Sequence, residues 1–376
     1  MPAHLRTIQT AVPTTVLDQS VAREIFAQQD GLTRLGQRLV RTSFDVSGIA
    51  TRRTVIDELD GSPRAEESTF YDATAGALLM PSTRTRNDVY IRAARELFLE
   101  AATRALDACD DIEPGDVTHV VTVSCTGFYA PGPDYEIVRG LGLNTGTQRF
   151  HIGFMGCYGA FPALRAAAAL CAADPAAVVL VVSCELCTIH VRSSNDPDQI
   201  VASSVFGDGA AAAIITAADG PVGTSTLRID KLVSDLTPVG EGDMAWTIGD
   251  AGFDMVLSAA VPKIIDTYIE PALQPLFVDE PQLADDPSTR VAHWAIHPGG
   301  RSILDKVEAT LGLTVEQLAP SRAILRDYGN MSSATVLFVL KEILESAPSA
   351  PGERVCAMAF GPGLTVEAGL FTRVTR

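Results

Sequence analysis

Three residues in this 376-residue chain pair a reactive side chain with turn-like surroundings: Cys157, His297 and Asn330. Cys157 sits in Gly153-Phe154-Met155-Gly156-Cys157-Tyr158-Gly159-Ala160-Phe161, directly before an alanine-rich helical stretch. A thiol at a helix N-terminus faces unpaired N–H groups and the positive end of the macrodipole, which favour an anion. Such settings hold a thiol pKa at roughly 3.5–7.5 and supply a thiolate nucleophile. The competing reading is a small buried hydrophobe, the commonest fate of a free cysteine. His297 ends the apolar run 291–296 and precedes Pro298-Gly299-Gly300. From there, neutral imidazole can donate to a thioester carbonyl and imidazolium can pair with a thiolate. Asn330 lies in Tyr328-Gly329-Asn330-Met331-Ser332-Ser333-Ala334-Thr335. It is either a helix N-cap or an amide donor to a developing oxyanion.

The elements that must position these residues are legible in outline. Segments 117–124 (VTHVVTVS) and 177–183 (AVVLVVS) read as buried strands, 92–107 as an amphipathic helix and 161–173 as a helix with almost no polar face. In the second half, 291–296 reads as a strand, 303–311 as a helix start, 327–330 as a turn, 332–345 as a helix and 355–360 as a strand. The alternation predicts α/β architecture with covered sheets. Ser124 to Cys157 and His297 to Asn330 both span 33 residues. The order of elements matches as well, so the chain reads as a duplicated α/β unit divided into 1–220 and 221–376. Segment 217–225 is the boundary between halves, and 57–68, 279–290 and 346–353 read as exposed loops.

Composition narrows the function. Hydrophobic residues make up 47% and charged residues 20%, enough for a large core in a chain of about two domain lengths. A formal charge of −17 argues against nucleic acid or an anionic membrane as partner. The N-terminus lacks a signal-peptide pattern, and the apolar run 166–173 is too short to span a bilayer. A cytoplasmic protein is expected. Seven cysteines are an odd number and argue against a disulfide framework. Cys184-Glu185-Leu186-Cys187 lacks the second pair a zinc site needs, so no metal is expected. Gly207-Asp208-Gly209 lacks the third glycine of a nucleotide loop.

Taken together, GFMGCYGAF (153–161), SSVFGDGAAAA (203–213), WAIHPGG (294–300), YGNMSSATV (328–336) and FGPGLTVE (360–367) resemble the chalcone synthase-like type III polyketide synthases. The resemblance covers nearly the whole chain. It implies the thiolase fold, with two α/β halves layered αβαβα around five-stranded sheets, and a homodimer. It also implies acyl-CoA and malonyl-CoA as substrates and no separate cofactor. Matched residue by residue, Cys157 resembles the acyl-accepting nucleophile. His297 and Asn330 resemble the pair that binds the malonyl thioester and stabilises its enolate. Phe206 resembles the gatekeeping aromatic, Ser332 a cavity-lining position, and Gly361 and Gly363 part of the cavity scaffold. Arg52, Arg53 and Arg301 are the positional candidates for binding CoA.

Several positions depart from the plant pattern. Met255 stands where plant members carry a second gating phenylalanine, and Trp246 where they carry a cavity glycine. Cys125 and His190 stand at starter-pocket threonines. These departures argue against a coumaroyl starter and a chalcone product, while CTGF (125–128) and GFMGCYGAF resemble bacterial members and point to a fatty acyl starter, with a pyrone, resorcinol or related aromatic as product. Two rival readings share the same residues. One is a β-ketoacyl-ACP synthase III-like enzyme that condenses once. The other is a non-catalytic acyl-binding protein of thiolase shape.

Overall fold

The computed structural model describes residues 2–62, 67–345 and 350–375. Nine strands form one mixed sheet, in the spatial order His293–Ile296, Arg354–Gly361, Thr365–Thr375, Ser225–Leu236, Ala3–Ala11, Asp208–Thr216, Val178–Leu186, His119–Ser124 and Gln148–Gly153. Among the described residues, three pairs join the two halves of this sheet: Ala3–Ile229, His4–Arg228 and Leu5–Leu227. Beyond that short seam the strand sets diverge and face each other across a helical layer.

Two apolar helices fill that layer, Ala160–Ala173 and Thr335–Glu345. Their side chains share one core with strands of both halves, from Val121 and Val181 to Val355 and Ala357. This two-sided burial is why neither helix has a polar face along most of its length. A second core lies under Thr83–Asp107 on the outside of the first half. A third lies under Val261–Phe277, Arg301–Leu311 and Val315–Tyr328 on the outside of the second. Helix, sheet, helix, sheet, helix is the αβαβα stacking of the thiolase fold.

The two helix starts beside the sequence motifs are built alike. Cys157 lies in a 3-10 turn, Gly156–Tyr158, before Ala160–Ala173. Asn330 precedes a 3-10 turn, Ser332–Ala334, before Thr335–Glu345. Other expectations change. The helix read over 92–107 begins nine residues earlier, where Ser82 caps its N-terminus. Segment 279–290 is not an open loop, since Pro281–Asp285 and Pro287–Arg290 are short helices opened by proline at N1. The helix Val315–Tyr328 was not anticipated, although Thr314 and Gln317 form a capping box at its start. Of the loops expected over 57–68 and 346–353, residues 63–66 and 346–349 lie outside the described residues. Among the described residues, one helical stretch, Gly156–Ala173, is long and apolar enough to cross a membrane; it belongs to the middle layer.

Candidate active site

Cys157, His297 and Asn330 line one cavity of about 330 Å³. Cys157 is brought there by Gly156, whose φ of 73° belongs to the left-handed region; a Cβ at 156 would lie 2.5 Å from Pro362 Cδ. Only glycine fits both constraints. The thiol stands 3.9 Å from both Oδ1 and Nδ2 of Asn330. That amide is held on three sides. Its Oδ1 accepts from Ser332 N–H at 2.8 Å, an i to i+2 turn; the N-cap of the 3-10 turn that follows is Met331, so Asn330 stands one residue before the capping position expected for it. Its Nδ2 donates to Gly299 O at 3.2 Å, in the turn that carries His297. Its backbone N–H donates to Val205 O at 2.8 Å.

His297 extends the strand His293–Ile296, with its N–H donating to Met358 O at 2.8 Å. The ring is buried, and neither nitrogen has a hydrogen-bond partner. Burial without a compensating charge pushes its pKa down to about 3, so the imidazole is neutral.

The expected low thiol pKa is not what the structure gives. Burial pushes the Cys157 thiol up to about 11, against the weaker pull of hydrogen bonds from Ser332 and Asn330. Burial is the cause, and the helix end does not offset it: the α-helix begins only at Ala160, after a 3-10 turn. Burial thus disfavours the charged form of both groups, thiolate and imidazolium alike.

Phe206 belongs to a buried cluster with Cys187, Ala202 and Val205, against which Cys157 and Met255 pack. Met255 sits on the hairpin Met244–Gly249/Gly252–Leu257, directly across from Trp246. Both side chains face the cavity. The Trp246 indole N–H donates to Cys125 O at 2.8 Å, which pins the ring to the wall. Cys125 and Ser332 also line the cavity, with their Sγ and Oγ 3.4 Å apart.

His190 is not among the lining residues. Its Nε2–H donates to Thr126 O at 2.7 Å, and its Nδ1 accepts from Phe253 N–H at 3.1 Å. The ring stacks on Phe253 at 4.1 Å and meets Trp246 edge-on at 5.5 Å. It therefore buttresses the tryptophan from behind. Gly361 also stands behind the wall: a Cβ there would lie 2.4 Å from Tyr158 Cδ1. Gly363 adopts φ 73°, which lets the chain turn after the lining residue Pro362.

The three arginines separate. Arg301 lines the cavity mouth with a half-exposed side chain. Arg53 is half-buried, donates to Thr14 O at 3.3 Å and does not line the cavity. Arg52 is fully buried, so it cannot be a surface phosphate ligand. The strand Thr51–Thr54 alternates its side chains, and Arg52 falls on the inward face.

Sequence reasoning missed Glu185. This buried carboxylate accepts from Cys125 N–H at 2.9 Å and from Thr126 Oγ1 at 2.8 Å, and also bonds Ser333 Oγ. Burial raises its pKa. A lone glutamate closing the apolar run 177–183 was the available signal. Cys187, which the sequence offered only as part of an incomplete zinc pattern, lines the cavity.

The pattern described as chalcone and stilbene synthases, N-terminal domain, matches residues 1–219, and its C-terminal counterpart matches 229–375. "Probable polyketide synthase 1" of Dictyostelium discoideum is 34% identical over 333 residues, covering 87% of this chain but only 10% of that protein. This chain thus spans about a tenth of that relative's length. "Type III polyketide synthase 10" of Oryza sativa subsp. japonica is 33% identical over 303 residues, covering 78% of this chain and 74% of the relative. The solved structure of 1,3,6,8-tetrahydroxynaphthalene synthase from Streptomyces coelicolor superposes with a TM-score of 0.86 at 27% identity, covering all of both chains. The chain belongs to the chalcone and stilbene synthase family of type III polyketide synthases.

Proposed function

We propose that the protein catalyses repeated decarboxylative condensation of malonyl-CoA onto an acyl-CoA starter, followed by ring closure. The observation that carries this reading is the meeting of one thiol, one carboxamide and one unpartnered imidazole in a single cavity. On this reading residues 1–220 form the half that supplies the nucleophile, and 221–376 the half that supplies His297 and Asn330.

Cys157 attacks the starter thioester. The thiol proton passes to the neutral His297 ring, and CoA leaves with it as the free thiol. Neutral imidazole is the form that can accept this proton, which fits its lowered pKa. Malonyl-CoA then loses CO₂, and the electron pair moves onto the thioester oxygen as an enolate. The Asn330 amide N–H and an imidazole N–H are the donors available to that oxygen. The enolate carbon attacks the acyl-Cys157 carbonyl, the sulfur departs, and the lengthened chain is reloaded.

Phe206 and Met255 act as the gate, and their apolar faces exclude water from the reactive chain. The wall is largely apolar, with Met244, Leu257, Val261, Ile303 and Phe360 beside Trp246. It favours a fatty acyl starter and a pyrone, resorcinol or related aromatic product. Arg301 is the cation at the mouth available to a CoA phosphate. The enzyme needs no resident cofactor and works in the cytoplasm. It forms a homodimer through the edge strand Gln148–Gly153, which is open on one side and exposed along most of its length. Phe128, Phe150 and Phe154 are exposed beside it.

Incubation with a panel of acyl-CoA starters and malonyl-CoA, with no carrier protein, tests the reading by mass spectrometry. Products containing two or more malonyl-derived units are expected. Their absence for every starter rejects it, and a single condensation that requires carrier protein selects the synthase III-like rival.

A further inference from the structure

Arg52 was the residue whose placement departed most from its sequence reading, and its surroundings give it a different task. It is a buried cation with no carboxylate in contact. Instead its Nη1 donates to Ser203 O at 2.9 Å and to Phe206 O at 2.6 Å, and its Nε donates to Gln19 Oε1 at 3.0 Å. These carbonyls lie at the end of the helix Pro197–Val205, where those beyond Ala202 O lack intrahelical donors and the negative end of the dipole lies. Gln19 completes the cap by donating to Ser204 O at 2.8 Å.

The far side of the same side chain meets the other half of the protein. Gly329, with φ 69°, lies so close that a Cβ would stand 2.8 Å from Arg52 Cγ. Next in the chain, Asn330 forms a parallel bridge with Phe206. Val205 O accepts from Asn330 N–H, and Asn330 O accepts from Gly207 N–H at 2.9 Å. One guanidinium and its stem thus back both strands of that two-residue bridge.

The geometry points to Arg52 as a positioning residue that fixes the Phe206 gate and the Asn330 amide at one spacing across the two halves. It touches neither the thiol nor the cavity, so it acts only through those two residues. The inference rests on the reading of Phe206 and Asn330 given under the proposed function. Removing the guanidinium leaves the Ser203 and Phe206 carbonyls without donors and opens space behind Gly329. The bridge then loosens, and Phe206 swings away from its place beside Cys157, leaving the thiol more accessible.

The test uses Arg52→Met and Arg52→Lys in the full chain, with folding verified by circular dichroism. Two independent quantities are measured: the iodoacetamide alkylation rate of Cys157, and kcat and KM for malonyl-CoA together with the ratio of uncoupled decarboxylation to condensation. A displacement of about an ångström costs on the order of 100-fold in rate. Arg52→Met is therefore expected to lose roughly 10- to 100-fold in kcat with KM held within about twofold. Uncoupled decarboxylation and the Cys157 alkylation rate rise severalfold, and Arg52→Lys recovers part of each. A folded Arg52→Met with unchanged alkylation and kcat overturns the inference. So does a raised KM with kcat intact, which would mark a substrate-binding residue instead. If the unmodified protein makes no condensation product, the functional reading fails, while the alkylation comparison still decides the positioning role. If Arg52→Met does not fold, Gln19→Leu decides: a severalfold faster alkylation supports the inference, and an unchanged rate overturns it.

Discussion

Cys157 and His297 share a cavity, yet burial drives both toward the uncharged form, to pKa values of about 11 and about 3. Under the proposed function, proton transfer from the thiol to the imidazole is then part of the reaction. Iodoacetamide labelling of Cys157 is expected to climb steadily from pH 7 to pH 10, with no plateau near neutrality. A plateau below pH 8 would show a preformed thiolate. Cys157→Ala is expected to abolish condensation while retaining part of the malonyl-CoA decarboxylation, because the enolate donors remain; radiolabelled CO₂ release measures this. Asn330→Ala removes one such donor and should lower the decarboxylation rate on the order of 100–1000-fold. At this scale the sequence was most informative about identity and least about charge. The motifs place the three side chains, but a pKa depends on surrounding atoms that come from distant segments.

Among the elements, the hairpin Met244–Gly249/Gly252–Leu257 shapes the cavity. Trp246 is its largest inward side chain, pinned by Cys125 O and buttressed by His190 and Phe253. Trp246→Ala opens the wall without touching the three reactive groups. Product mass spectra are expected to shift toward longer starters or more extensions, with catalysis retained. The turn before Cys157 is less forgiving. Gly156→Ala forces a Cβ onto Pro362 and holds a non-glycine residue at positive φ, a backbone cost of about 1–2 kcal/mol. A thermal midpoint lowered by several degrees and slower condensation are expected. Strands 117–124, 177–183, 291–296 and 355–360 and the two middle-layer helices could be read from the chain because burial on both sides leaves uniform apolar runs. The helix Val315–Tyr328 could not, since it mixes polar and apolar residues and contains Pro320. The inward turn of Arg52 was hidden too, because a charged pair such as Arg52-Arg53 gives no sign of which member faces the core.

For the whole molecule, acid stability follows from buried titratable groups on opposite sides of the balance. His190 and His297 take up protons near pH 6.5 when unfolded but only near pH 3 when folded. The unfolded chain holds the extra protons in between, so their contribution is complete above pH 6.5 and is lost as pH falls toward 3. Asp208 opposes them. Burial raises it to about 6 from 3.8, so the folded chain binds its proton first and gains stability on acidification over that range. Glu185, raised by burial, acts in the same direction as Asp208. His190→Gln keeps a donor for Thr126 O and an acceptor for Phe253 N–H but cannot titrate. The fall in melting temperature between pH 6.5 and pH 4 should be shallower in that variant than in the unmodified protein. Sedimentation should give twice the 39.8 kDa chain mass, and Phe150→Glu on the open edge strand should return the single-chain value. The duplicated architecture was readable from two equal spacings; the shortness of the seam that joins the sheets was not, because strand pairing between halves leaves no local pattern.

The chain has two tryptophans, and they occupy unlike places. Trp294 is sealed in the second half's core, whereas Trp246 forms part of the cavity wall. Intrinsic fluorescence should therefore contain one silent chromophore and one responsive one. Loading and unloading of the chamber become visible in real time, without label or coupled assay, as a change in the emission of a single indole.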